Sequence, residues 1–118
     1  MNDDILEIIK NETLSQVRDI TKDDLRQIIL FGSCARGDYT EESDIDIAVL
    51  IDGDRSEVDR FRDALVMLSA KLDLIYMVVV NYICLPKDEF DDKKDYYPSY
   101  IKHSKRGDGN LWMIAGEI

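Results

Sequence analysis

Residues 28–51 read IILFGSCARGDYTEESDIDIAVLI, and this stretch decides the fold. Its apolar start, broken by Gly32 and Ser33, predicts a strand that ends in a tight turn. A second strand is predicted from Asp44 to the end of the stretch. Because strand side chains alternate between two faces, Asp44 and Asp46 are expected to lie on the same face.

Two carboxylates on one face of a strand repel each other unless a positive charge lies between them. Mg²⁺ takes oxygen ligands, and proteins hold it with one or two carboxylates together with substrate phosphates. Gly32 lets the backbone approach a ligand closely, while N–H groups and the Ser33 hydroxyl bind anionic oxygens. The pattern therefore predicts a metal and phosphate site, and the alternative is a hairpin whose acids are only solvated.

The spacing of these residues resembles the signature of DNA polymerase β-type nucleotidyltransferases. Gly32 and Ser33 are followed by ten residues and then by Asp44 and Asp46. The resemblance covers about residues 25–84 and, more weakly, the C-terminal segment, and it implies an α/β fold. That fold has a mixed central sheet with flanking helices, like the palm of polymerase β. Three strings extend the similarity to minimal nucleotidyltransferases: FGS at 31–33, ARGD at 35–38 and SDID at 43–46.

The resemblance also implies site residues and cofactors. Asp44 and Asp46 would hold two Mg²⁺ ions, or Mn²⁺ in their place, with ATP as the substrate. Arg36 would neutralise phosphate charge, or else pair with Asp38 or Glu41 on the surface. The implied nucleotide-binding residues are Gly32, Ser33, Arg36 and Ser43.

Members of this family normally carry a third carboxylate on the strand after the long helix. It helps to hold the catalytic metal and accepts the proton of the acceptor hydroxyl. Asp73 is the acid near the start of that predicted strand and is the candidate third catalytic and metal-binding residue. If the strand begins at Met77, Asp73 lies at the helix end and the third position falls near Asn81. An amide cannot act as a carboxylate base, so the site would then bind nucleotide but turn over poorly.

Apolar periodicity predicts the other elements. The inward stripe of the first helix is expected to be Ile5, Ile8, Ile9, Leu14 and Val17. The inward stripe of the second is expected to be Val58, Phe61, Leu65, Leu68 and Leu72. The predicted elements are helices over 3–20 and 55–73, a strand over 74–84, a helical turn over 87–94, a short helix over 96–105 and an edge strand over 111–114.

The length and net charge of the chain limit the classes of function that it can have. The chain has 118 residues, which predicts a single domain over 1–118. Its net charge of −10 argues against a protein that grips nucleic acid by its phosphates. No apolar run is long enough for a membrane helix. The acidic start, without a basic signal region, predicts a cytoplasmic protein in which Cys34 and Cys84 are free thiols.

The resemblance therefore implies a Mg²⁺-dependent nucleotidyltransferase that moves AMP from ATP to a hydroxyl of a partner protein. Minimal nucleotidyltransferases that this chain resembles are often antitoxins paired with an HEPN-domain toxin, a small helical ribonuclease, and they modify a toxin tyrosine. One alternative is a catalytically weak nucleotide-binding module that neutralises its partner by contact. The other is a small-molecule nucleotidyltransferase similar to those acting on aminoglycosides, which usually carry an extra helical domain. The choice of nucleotide and the oligomeric state, homo-oligomer included, stay open.

Overall fold

The computed structural model describes residues 2–92, with the backbone alone at Arg36. The predicted helix over 96–105 and the predicted edge strand over 111–114 lie outside the described residues. Among residues 2–92, no helix is long and apolar enough to span a bilayer.

Within residues 2–92, four helices and three strands form an α/β unit, which confirms the predicted fold class. The strands lie in the order β1-β2-β3, with β1 antiparallel and β3 parallel to β2, so the sheet is mixed. The elements are α1 (Asp3–Thr21), a 3-10 turn (Lys22–Asp24), β1 (Leu25–Phe31), α2 (Ser33–Arg36), β2 (Ile45–Ile51), α3 (Arg55–Tyr76), β3 (Val80–Pro86) and α4 (Lys87–Asp92).

Helix α1 begins as predicted but buries a different stripe. The side chain of Asn2 caps it by accepting a hydrogen bond from the Ile5 backbone N–H at 2.9 Å. Ile8, predicted to face inward, is 38% exposed. Two threonines take inward positions because their hydroxyls are satisfied there: Thr21 donates to a backbone carbonyl, and Thr13 bonds the Tyr82 hydroxyl. The buried residues of α1 are Leu6, Ile9, Thr13, Val17 and Thr21.

Helix α3 continues past its predicted end, and the prediction of a strand from residue 74 is wrong. The helix runs to Tyr76, and Met77 closes it in a left-handed conformation with its N–H bonded to the Asp73 carbonyl. The half-buried Tyr76 extends the inward stripe by one turn, whereas Leu74 is 85% exposed. Strand β3 therefore begins only at Val80.

The two faces of the sheet are covered differently. One face packs on α1 and α3 and forms the larger core, which includes the predicted α3 stripe. The other face packs Ala48 and Leu50 of β2 against Phe90 of α4. Asp46 precedes Ala48 by two residues, so its side chain lies on this second face, away from the two long helices. The Asp46 carboxylate is thus on the side of the sheet that the long helices leave open.

Candidate active site

Gly32 joins β1 to α2 and sets the shape of the site. Its backbone angles, φ 77° and ψ −158°, belong to a region that is essentially restricted to glycine. Phe31 is the register partner of Asp46, so the turn that follows β1 lies directly beside the Asp46 carboxylate. The Gly-Ser turn and the acid of the signature are therefore in contact, as a combined metal and phosphate site requires.

Asp44 and Asp46 lie close together, although β2 begins at Ile45 and not at Asp44 as predicted. One amide nitrogen reaches both of them: Asn81 Nδ2 donates to Asp44 Oδ2 at 3.3 Å and to Asp46 Oδ1 at 3.0 Å. Asp46 and Asn81 are register partners on the parallel strands β2 and β3. Asp44 and Asn81 are exposed and Asp46 is half-buried, so the carboxylate oxygens are accessible from solvent.

The position beside the carboxylate pair on β3 is filled by Asn81. Asp73, the candidate third carboxylate, is exposed on the last turn of α3. Within residues 2–92, no three side chains of His, Cys, Asp or Glu converge into a group that could hold a metal. The catalytic role of Asp73 stays a prediction, but its placement at the start of a strand is wrong. From the sequence, Asn81 was expected at this position only if the third strand began at Met77 or later.

The other predicted nucleotide-binding residues lie on the connections around the pair. Ser33 begins α2 immediately after Gly32. The Ser43 hydroxyl accepts the Thr40 backbone N–H at 2.9 Å and so stabilises the turn that leads into β2. Arg36 ends α2. The phosphate-binding roles of these residues stay predictions.

Cys34 lies in the same loop but is not a reactive thiol. It is buried, and its Sγ donates to the Asp44 backbone carbonyl at 3.5 Å. Burial first, and then the negative charge of Asp46, raise the pKa of the Cys34 thiol to about 11. The thiol is therefore protonated at neutral pH and fills space behind the carboxylates, without acting as a nucleophile.

The donor set fits a hard divalent cation. Asp44 and Asp46 supply carboxylate oxygens that one amide reaches together, and the glycine turn lies directly against Asp46. Mg²⁺ and Mn²⁺ favour such all-oxygen ligand sets. The carboxylates of Asp44 and Asp46 are the groups that would hold the ion.

The comparison with known families decides the assignment. The family model described as nucleotidyltransferase domain matches residues 10–106. The chain belongs to the nucleotidyltransferase domain family. The signature residues Gly32, Ser33, Asp44 and Asp46 all fall inside the matched range.

This nucleotidyltransferase domain is similar to two proteins of Methanocaldococcus jannaschii, each named as a candidate protein adenylyltransferase. One is 48% identical over 69 residues, which cover 58% of this chain and 62% of the relative. The other is 36% identical over 86 residues, which cover 71% of this chain and 82% of the relative. The domain thus matches less than two thirds of the first relative's length. A crystal structure of a toxin–antitoxin with AMP-PNP aligns at 28% identity and TM-score 0.44, over 64% of this chain and 56% of that chain.

Proposed function

We propose that this nucleotidyltransferase domain transfers AMP from ATP to a hydroxyl group of a partner protein, with Mg²⁺ or Mn²⁺ held by Asp44 and Asp46. The observation that carries the proposal is the contact between the glycine turn and the carboxylate pair. Gly32 lies against Asp46, and one amide of Asn81 reaches both acids. Family membership gives the reaction class, and the names of the two relatives support a protein as the acceptor.

In the proposed reaction, the acceptor oxygen bonds to the α-phosphorus of ATP while the bond from that phosphorus to pyrophosphate breaks. The proton of the hydroxyl leaves to a base. Bound divalent ions would neutralise the phosphate charge and polarise the attacking and leaving oxygens. Asp44 and Asp46 would hold the ions, while the backbone at Gly32 and the Ser33 hydroxyl would bind the triphosphate oxygens.

The similarity of the signature to that of minimal nucleotidyltransferases also supports a proposal for the partner protein. It implies a helical HEPN-type toxin whose tyrosine hydroxyl receives the AMP group, so that the domain would act as the antitoxin. A protein acceptor suits a chain with a net charge of −10, because such a chain does not attract nucleic acid.

A second candidate function is favoured by Asn81. Within residues 2–92 the carboxylate pair meets an amide and no third acid. A lost general base typically lowers a rate by roughly 10²–10⁴-fold. The domain would then bind nucleotide, transfer AMP slowly and neutralise its partner mainly by contact.

Nucleotide binding is the first test. Calorimetry with a non-hydrolysable ATP analogue and Mg²⁺ should give an affinity that collapses in chelator and in Asp46→Asn. Asp63→Asn makes the same chemical change on the exposed side of α3 and should bind like wild type. An affinity that is equal with and without metal would refute the proposal.

Group transfer is the second test. The assay incubates the wild-type domain with Mg²⁺ and with ATP labelled at the α-phosphate. The protein encoded by the neighbouring gene is added as the acceptor. Label should pass to that protein with wild type and with Asp63→Asn, but not with Asp46→Asn. If no label passes and the partner is still neutralised, the second candidate function is correct.

A further inference from the structure

Asn81 makes contacts that an ordinary surface amide does not make. Its Nδ2 donates to Asp44 Oδ2 at 3.3 Å and to Asp46 Oδ1 at 3.0 Å, so one NH₂ group bridges two carboxylates. The position is fixed by the sheet, because Asp46 and Asn81 are paired across β2 and β3. The two hydrogen bonds offset part of the repulsion between the two acids.

We propose that Asn81 is the third member of the metal site and sets its charge at two carboxylates and one neutral amide. This inference rests on the proposed function. An asparagine side chain carries two N–H donors on one atom and a carbonyl acceptor on the other. The NH₂ group bridges Asp44 and Asp46, and the carbonyl oxygen is the group that Asn81 would offer to a bound metal ion.

The charge of this position has two opposite consequences. A carboxylate at residue 81 would place three negative groups around one point, which destabilises the fold without metal. The same carboxylate would attract a divalent cation more strongly than a neutral oxygen does. Asn81 therefore gives a domain that keeps its site intact without metal and binds the ion more weakly. Asp73 is exposed on the last turn of α3, and in this proposal it does not hold the ion.

Stability measured with and without metal tests the first consequence. In chelator, Asn81→Asp should unfold at lower denaturant than wild type, and Mg²⁺ or Mn²⁺ should restore it. Asn11→Asp adds the same charge on the exposed side of α1 and should show no such dependence on metal. Equal behaviour of the two variants would overturn the inference.

Metal affinity tests the second consequence and needs no acceptor. With the non-hydrolysable ATP analogue present, Asn81→Asp should bind Mn²⁺ at least about tenfold more tightly than wild type, because a full charge is added at the ion. Asn81→Ala should show no gain, and Asp73→Asn should match wild type. An unchanged affinity in Asn81→Asp, or a loss in Asp73→Asn, would overturn the inference. If wild type transfers no AMP to any protein, the transfer proposal fails while these titrations still decide the role of Asn81.

Discussion

Gly32 lies so close to Asp46 that a Cβ atom on Gly32 would be 2.5 Å from Asp46 Oδ2. Non-bonded heavy atoms other than hydrogen-bonded pairs do not approach this closely, so any side chain at residue 32 would push the carboxylate aside. Gly32 thus has two structural roles. It adopts a backbone conformation at φ 77° that other residues avoid, and it leaves Asp46 in place beside the Gly-Ser turn.

Gly32→Ala should therefore impair both nucleotide binding and stability. The strained backbone costs about 1–3 kcal/mol, and displacement of the Asp46 carboxylate should weaken the affinity for the ATP analogue by at least about tenfold, roughly 1.4 kcal/mol. Calorimetry and denaturant unfolding measure the two effects.

Gly37→Ala is the matched control. Gly37 also has a positive φ, 86°, but nothing lies within 4 Å of its added Cβ. This variant should lose about 1–2 kcal/mol of stability from the left-handed conformation and keep its nucleotide affinity. Equal losses of affinity in the two variants would show that the Gly32–Asp46 contact is unimportant.

Leu65 tests the direction in which α3 faces. Its side chain is 2% exposed, whereas that of the next residue, Val66, is 62% exposed. Leu65→Ala should lower the free energy of unfolding by about 2–5 kcal/mol, as other large-to-small core changes do. Val66→Ala should change it by less than about 0.5 kcal/mol. Similar values for both variants in urea melts would mean that the helix does not face as described.

Because the pKa of the Cys84 thiol is raised, we expect the protein to lose stability at alkaline pH. Burial raises the pKa of the Cys84 thiol from 9.0 to about 11. Below pH 9.0 the thiol is protonated in both the folded and the unfolded protein. Above pH 9.0 the unfolded chain loses the proton first, because the folded protein holds it up to about pH 11. The free energy of unfolding therefore falls between these two pH values. Denaturant melts across this range should show a smaller fall in Cys84→Ala than in wild type, although Cys34 and Tyr82 also contribute in both proteins. If the free energy of unfolding falls equally with pH in both proteins, Cys84 is ionised as easily in the folded protein as in the unfolded chain.

Several features follow from the sequence alone because they depend on neighbours along the chain. Strand alternation placed Asp44 and Asp46 on one face, and one amide in the structure touches both. Steps of three and four residues identified the buried face of α3, where Leu65 lies. The signature spacing indicated the family, and the family model agrees.

The sequence could not fix the boundary between α3 and β3. Leu74 and its apolar neighbours suit a strand as well as a helix, and local patterns do not distinguish the two. Packing decides it: Tyr76 continues the buried stripe of the helix, and Met77 then ends it in a left-handed conformation.

The tertiary structure alone decided which residue meets the carboxylate pair. Pairing between β2 and β3 joins residues far apart in the chain, and a shift of one residue would turn every side chain to the opposite face. The observed register sets Asn81 opposite Asp46, while the longer helix leaves Asp73 exposed on α3. The two acids of the site were therefore encoded locally, whereas their third neighbour depended on long-range strand pairing that no local pattern specifies.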